Sequence, residues 1–170
     1  MLVGCALIFG GQSMYRRTFL QAFLSTCAAQ PLLSQLLMAS ETSKVNWFTA
    51  LKPAHQQALS RQKPLLIIFG ASWCGFCHKL EKETLGDKRL AQFVMREFVP
   101  VKLDFDKDDK AAKILDVEAL PATVVINTEA ELLARSTGFH EPDKYAEILQ
   151  SAIRRQSEIL QARHTQTRPS

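Results

Sequence analysis

Cys74 and Cys77, two cysteines separated by two residues, are the side chains of this chain best suited to chemistry. An apolar run, Pro64–Phe69, precedes them, and Lys79–Leu85 has the pattern of a helix. The spacing lets the two cysteines close a small disulfide ring. Unpaired N–H groups and the dipole at a helix N-terminus stabilise a thiolate. Because the thiolate is the nucleophile of disulfide exchange, the pattern predicts a redox-active pair.

The same residues allow two other interpretations. Cys74–His78 also matches the C-x-x-C-H signature of covalent haem attachment, for which Met95 and His140 are loose candidates as the second axial ligand. A β-type run ahead of the motif is not what a haem protein of this kind is expected to show. A structural zinc site usually has four ligands, and few histidines accompany the two cysteines. We predict no metal ion and no cofactor, and keep a c-type haem electron carrier as an alternative.

Length and charge limit the classes of protein to consider. The 170 residues suit one domain of about 100–150 residues with extensions. The formal net charge of +4 gives no nucleic-acid footprint, so we predict no nucleic-acid partner. We also expect a monomer. The other two cysteines, Cys5 and Cys27, lie near the N-terminus. Removal of that segment leaves only the motif pair to form a disulfide.

Residues 1–40 have the order of a signal peptide, with a basic pair, apolar segments and small residues at the exit. The pair Arg16 and Arg17 also resembles the twin-arginine export signals of bacteria. Met14, just ahead of the pair, is a candidate for the true start. We therefore predict export to the periplasm. The alternatives are a membrane tether, through an uncleaved leader or lipidated Cys27, and an amphipathic helix packed on the domain.

Periodicity and capping residues predict the elements of the remaining chain. Asn46 is expected to cap a helix that runs to Leu59 with an interruption at Pro53. The elements that follow are a strand Pro64–Phe69, a motif helix Cys74–Leu85, a helix capped by Asp87, a strand Phe98–Asp104, a helix Asp108–Leu115 capped by its acids, a hairpin of Thr123–Ile126 with Leu132–Arg135, and a helix from Pro142 through Ile159.

From about Pro64 to Gln150, this order of elements resembles that of thioredoxin-like proteins. The continuation Glu81–Leu85 is similar to the exported branch that includes the C-terminal domain of the transmembrane disulfide reductase. The resemblance implies an α/β thioredoxin fold, a central mixed β-sheet flanked by helices on both faces. It also implies a redox disulfide in which Cys74 attacks and Cys77 resolves. Pro121 would be a cis-proline facing them, beside backbone that holds an extended substrate.

Two positions depart from the family pattern. Many thioredoxins have a buried acid six residues before the first cysteine, where this chain has Ile68. Glu81 follows Cys77 by four residues, on the same helix face, and is the candidate proton acceptor for Cys77 or a solvated carboxylate. Phe76 stands where thioredoxin has proline, which should alter the relative stability of dithiol and disulfide.

Two neighbours of the cysteines are predicted to support them. Trp73 is expected to form an apolar wall beside Cys74, with simple core packing as its alternative. His78 lies in the first helical turn, where a partial positive charge would favour the thiolate.

These features predict a periplasmic thiol:disulfide oxidoreductase that exchanges electrons with protein disulfides and takes them from a membrane-bound donor. Reduction is favoured because the branch it resembles passes electrons outward, while oxidation and isomerisation stay open. A non-catalytic thioredoxin-fold binding module is a further alternative. The predicted organisation is a leader (1–40), a linker and helix (41–63), a thioredoxin-like domain (64–162) and a polar tail (163–170).

Overall fold

A computed structural model describes residues 44–166 of the chain. The predictions about the leader, its start and its cysteines lie outside these residues. The elements are α1 (Leu51–Arg61), β1 (Leu65–Gly70), α2 (Gly75–Lys79), a π-helical turn (Leu80–Thr84), α3 (Lys88–Glu97), β2 (Val99–Asp104), α4 (Asp109–Ile114), β3 (Ala122–Ile126), β4 (Leu132–Thr137) and α5 (Pro142–Gln166). Within residues 44–166, no helix has both the length and the apolar character needed to cross a membrane.

The strands form one mixed sheet in the order β2-β1-β3-β4. β1 runs parallel to β2 and antiparallel to β3, and β3 and β4 form an antiparallel hairpin. β1 is central and buried along its whole length, which explains its continuous apolar sequence. Its C-terminal end leads into the cysteine motif, so the most buried strand positions the motif.

Helices cover both faces of the sheet, as predicted. Because side chains alternate along a strand, Leu66 and Ile68 of β1 pack with α3, α5 and the π-helical turn, whereas Leu65 and Ile67 pack with α1 and α4. The predicted hairpin is confirmed as β3 and β4. The predicted N-cap of α3 is also confirmed, because Asp87 Oδ1 accepts a hydrogen bond from Leu90 N–H in the first turn at 2.9 Å. Of the two apolar clusters, the one that contains Leu66 and Ile68 also contains Leu80, at the point where the motif helix becomes the π-helical turn.

The N-terminal helix begins later than the sequence suggests. It starts at Leu51, and Asn46 does not cap it. Phe48 instead pairs with the edge of β2, where its N–H donates to Pro100 O at 2.9 Å. Pro53 lies in the first turn, where a helix needs no N–H donor, so it causes no interruption. The predicted start of this helix at Asn46 is wrong, because Phe48, two residues later, pairs with β2 and does not enter the helix.

The motif helix is not α-helical throughout. After Lys79 it widens into the π-helical turn, in which Leu85 N–H bonds to Leu80 O at 2.9 Å. The hydroxyl of Thr84, buried in this turn, donates to the carbonyl of His140 in the loop before α5. The prediction of one continuous helix is therefore wrong in its second half. The turn carries a contact between two residues that are far apart in the sequence, which a local pattern does not predict.

Two further boundaries differ from the prediction. Asp108 does not cap α4 with its side chain; its Oδ2 accepts from Asp104 N–H at 3.0 Å and closes the loop after β2. α5 continues to Gln166, into the predicted polar tail. Arg163 in this last part bonds to Glu131 at 2.7 Å and pairs with Glu129 at 3.4 Å. These ion pairs fix the end of α5 against the β3–β4 turn.

Candidate active site

The two cysteines are joined at the start of α2. Their sulfurs are 2.06 Å apart and their Cα atoms 5.3 Å apart. Cys74 is the N-cap of α2, and its Sγ accepts a hydrogen bond from Cys77 N–H at 3.2 Å. Cys74 is 7% exposed and Cys77 is 3% exposed. The fold thus places one sulfur at the helix N-terminus, where backbone N–H groups favour a thiolate, and the other one turn further in.

An open groove of about 300 Å³ lies against Cys74. Its apolar lining comes from Trp73, Phe76, Phe105 and Leu120. The Trp73 and Phe76 side chains are 67% and 65% exposed, an unusual exposure for large apolar groups that marks a contact surface. A chain entering this groove meets Cys74 first.

Cys77 lies behind the groove, against the end of β1. A Cβ atom placed on Gly70 would lie 3.5 Å from Cys77 Cβ and 3.7 Å from its Sγ, so the backbone of Gly70 approaches Cys77 closely. Gly70 also lines a second cavity, of about 500 Å³, on that side of the motif. The two cysteines therefore have different surroundings: Cys74 lines the groove, whereas Cys77 packs against Gly70, a residue that lines the rear cavity.

Trp73 is an exposed wall of the groove and not a core residue. Its indole Nε1–H donates to Asp106 Oδ2 at 2.9 Å. Asp106 is held in turn, because its N–H donates to Asp104 Oδ1 at 3.0 Å. The loop after β2 thereby fixes the position of the indole beside Cys74.

The peptide bond between Leu120 and Pro121 is cis, the geometry that the resemblance implies. Pro121 leads into β3, and its carbonyl accepts from Gly138 N–H at 2.7 Å. Leu120 packs against the cluster that contains Cys74 and Cys77. The backbone before β3 is thus placed next to the disulfide, where it can contact a chain in the groove.

Glu81 lies in the π-helical turn, and its carboxylate pairs with Lys102 Nζ at 2.6 Å. Lys102 is the register partner of Ile68 on the neighbouring strand. Glu81 and Lys102 line both the rear cavity and a cavity of about 430 Å³ that includes Ile68. The carboxylate that β1 lacks at Ile68 is therefore supplied from the helix side of the same cavity.

His78 closes the motif loop on itself. Its ring Nε2 lies 2.9 Å from Ser72 O and donates to that carbonyl. This contact occupies the nitrogen that a haem iron would need. The other haem candidates are engaged elsewhere, since Met95 Sδ accepts from Asn46 N–H at 3.3 Å and His140 Nε2 lies 2.6 Å from Ser136 Oγ. These contacts favour the disulfide interpretation.

Several residues of the site were missed at the level of the sequence. Lys102 had a signal, because it is a charged residue between the apolar Val101 and Leu103. No local pattern indicates Phe105, Glu118 or Leu120. They lie in the loops before and after α4, and only the tertiary fold brings these loops to Cys74. Within residues 44–166, no cluster of three or more histidines, cysteines and acids is arranged to hold a metal ion.

Comparison with known proteins identifies the family. Residues 51–153 match the family model of the thioredoxin-like domain, and the chain belongs to this family. Over 151 residues it is 29% identical to the thiol:disulfide interchange protein DsbD of Vibrio cholerae serotype O1, a match that covers 79% of this chain and 25% of that protein. The chain spans a quarter or less of the length of the curated relatives that it matches.

Solved structures show the same fold. A thioredoxin from Thermus thermophilus superposes with a TM-score of 0.60 at 17% identity, covering 65% of this chain and 88% of that protein. A DsbH oxidoreductase superposes with a TM-score of 0.58 at 22% identity, covering 65% of this chain and 85% of that protein. The predicted thioredoxin fold is confirmed.

Proposed function

We propose that this member of the thioredoxin-like family is a thiol:disulfide oxidoreductase that reduces protein disulfides through Cys74 and Cys77. The observation that carries the proposal is a disulfide at a helix N-terminus with one sulfur facing an open apolar groove and the other behind it. The match to a thiol:disulfide interchange protein supports the same chemistry.

The reaction begins from the dithiol form. The Cys74 thiolate attacks one sulfur of a substrate disulfide, forming a mixed disulfide and releasing the other substrate sulfur as a thiolate. Cys77, as a thiolate, then attacks Cys74 Sγ and releases the second substrate sulfur. Each departing thiolate takes up a proton. Two electrons pass to the substrate, which leaves as a dithiol, and the protein is left with the Cys74–Cys77 disulfide.

Glu81 is the proposed proton acceptor for Cys77. It lines the rear cavity together with Gly70, whose backbone approaches Cys77 closely. A proton leaving Cys77 would reach the carboxylate through water in this cavity. The pairing with Lys102 holds the carboxylate at the cavity wall.

The remaining predicted residues position the substrate and the motif. The backbone beside cis-Pro121 holds an extended segment of the substrate, a role supported by the contact of Leu120 with the cysteine cluster. Trp73, fixed by Asp106, forms one wall of the groove. His78 keeps the motif loop closed through its bond to Ser72 O.

We further propose that the protein works as a monomeric reductant in a bacterial periplasm. The order of a signal peptide in residues 1–40 and the resemblance to the exported branch support this location. Each turnover leaves the protein oxidised, so it needs an electron donor, for which we propose a membrane-bound partner. Replacement of Arg16 and Arg17 by lysine should retain the precursor in the cytoplasm if the twin-arginine route is used.

The decisive experiment measures catalysed reduction of an insulin disulfide by dithiothreitol, followed by equilibration of the protein in a series of glutathione redox buffers. We expect acceleration over dithiothreitol alone and a reduction potential on the reducing side of the glutathione pool. Absence of acceleration would favour a binding module. A potential well above that of glutathione would make the protein an oxidant, and a haem Soret band that persists after denaturation would indicate an electron carrier.

A further inference from the structure

We propose that Glu118 is a specificity-determining residue that makes the groove select disulfides flanked by lysine or arginine. The inference rests on the proposed function and names its substrate class. In the part of the chain that the structure describes, Glu118 is the only acidic or basic side chain that lines the groove. It is exposed. An extended substrate segment that reaches Cys74 therefore passes a carboxylate and no cation.

Glu118 is also unpaired. Most acids of the described residues have a partner; Asp116, two positions earlier, pairs with Arg135 at 3.6 Å. Among residues 44–166, no cation and no hydrogen-bond donor contacts the Glu118 carboxylate. Its charge is thus not neutralised by the protein and is available to a ligand.

A second carboxylate adjoins the groove at Trp73. Asp106 accepts the indole N–H of Trp73 at 2.9 Å, and no lysine or arginine within residues 44–166 forms an ion pair with it. The groove beside Cys74 therefore combines apolar walls with one acid in its lining, Glu118, and a second acid, Asp106, behind the Trp73 wall.

This combination selects one kind of occupant. The apolar surfaces of Trp73, Phe76 and Leu120 suit an apolar side chain next to the substrate cysteine. A lysine or arginine near that cysteine gains the attraction of Glu118, whereas an acidic residue there is repelled. Because Glu118 is exposed, the attraction should weaken as salt is added.

The test uses three peptides of equal length that carry a cysteine in mixed disulfide with thionitrobenzoate. Two lysines, two glutamines or two glutamates flank that cysteine. The pre-reduced full-length protein reacts with each in single turnover, and release of thionitrobenzoate is timed. Each rate is divided by the rate with dithiothreitol, which corrects for the intrinsic reactivity of the peptide.

The lysine peptide should react about two- to fivefold faster than the glutamine peptide at low salt, the effect expected of one exposed ion pair. Glu118→Gln should abolish most of the lysine-to-glutamate rate ratio, and Glu118→Lys should invert it. The matched control is Glu158→Lys on α5, another exposed glutamate with no partner among the described residues. It changes the net charge equally and should keep the parent ratio.

An unchanged ratio in Glu118→Gln, or the same change in Glu158→Lys as in Glu118→Lys, would overturn the inference. Failure of the proposed function looks different. In that case the protein would react with all three peptides no faster than dithiothreitol does, whatever their charge.

Discussion

At the scale of single residues, the different surroundings of the two sulfurs predict a division of labour. Cys77→Ser should leave a thiolate at Cys74 that attacks but cannot be released, so covalent adducts with substrate proteins should accumulate. Cys74→Ser should trap few. Non-reducing electrophoresis and mass spectrometry of the tagged variants would count and identify the adducts. If Cys74→Ser were the better trap, or if alkylation of the reduced protein reached Cys77 first, the two roles would be reversed.

The carboxylate at the rear cavity gives a second prediction about single residues. Glu81→Gln keeps the size of the side chain but cannot accept a proton, so resolution of the mixed disulfide should slow by on the order of 10²-fold while its formation changes little. Rapid-quench single turnovers between about pH 6 and pH 8 would separate the two steps.

The control for Glu81→Gln is Glu83→Gln, in the same turn, whose carboxylate pairs with Lys79 at 3.7 Å and does not line either cavity. Equal rates of both steps in Glu81→Gln and the parent would leave Glu81 as a solvated partner of Lys102.

At the scale of elements, the π-helical turn is followed by a glycine, Gly86, at a position with no room for a side chain. A Cβ atom on Gly86 would lie 2.4 Å from the backbone oxygen of Lys82, so the backbone would have to move. Gly86→Ala should lower the free energy of unfolding by about 1–3 kcal/mol, the usual cost of forcing a group into a packed site. Gly75→Ala is the control, because nothing lies within 4 Å of a Cβ there. Urea denaturation would compare them, and equal losses would contradict the steric explanation.

The elements also show what could be predicted from the sequence. The apolar run of β1, the hairpin and the Asp87 cap follow from local patterns, and the predicted pair Cys74 and Cys77 needed only its spacing and flanks. The π-helical turn contains Thr84, whose hydroxyl donates to the carbonyl of His140, 56 positions away. The walls of the groove come from separate loops in the same way. Local patterns predict neither the Thr84 contact nor the groove walls, because both arise from the packing of elements that are distant in the sequence.

At the scale of the whole molecule, Tyr145 connects the last helix to the sheet. Its ring is fully buried in the core that also supports the motif helix. Its hydroxyl lies 2.9 Å from Thr123 Oγ1 on β3, the strand that follows cis-Pro121. Burial raises the pKa of Tyr145 above its ordinary value, with the Thr123 hydrogen bond opposing the shift. Stability of the whole domain at high pH should therefore depend on this hydroxyl.

The direction of that dependence follows from proton release. An unfolded tyrosine loses its proton near pH 10, whereas the raised pKa of folded Tyr145 keeps its proton there. Unfolding above about pH 10 thus releases a proton, and the free energy of unfolding should fall by up to about 1.4 kcal/mol per pH unit. Below about pH 10 both states hold the proton, and this group causes no change.

Tyr145→Phe tests the dependence by removing the titrating group. At neutral pH the variant should be less stable by about 1 kcal/mol, because Thr123 loses its hydrogen-bond partner in the core. As the pH rises, only the parent should lose stability through ionisation of Tyr145 in the unfolded state. The difference in free energy of unfolding between the parent and Tyr145→Phe should therefore shrink above about pH 10. Urea denaturation of both proteins from neutral pH to about pH 11 would measure this difference. The two proteins have all other titrating groups in common, so the effects of those groups cancel. A difference that stayed constant over this range would mean that the folded protein does not hold the Tyr145 proton.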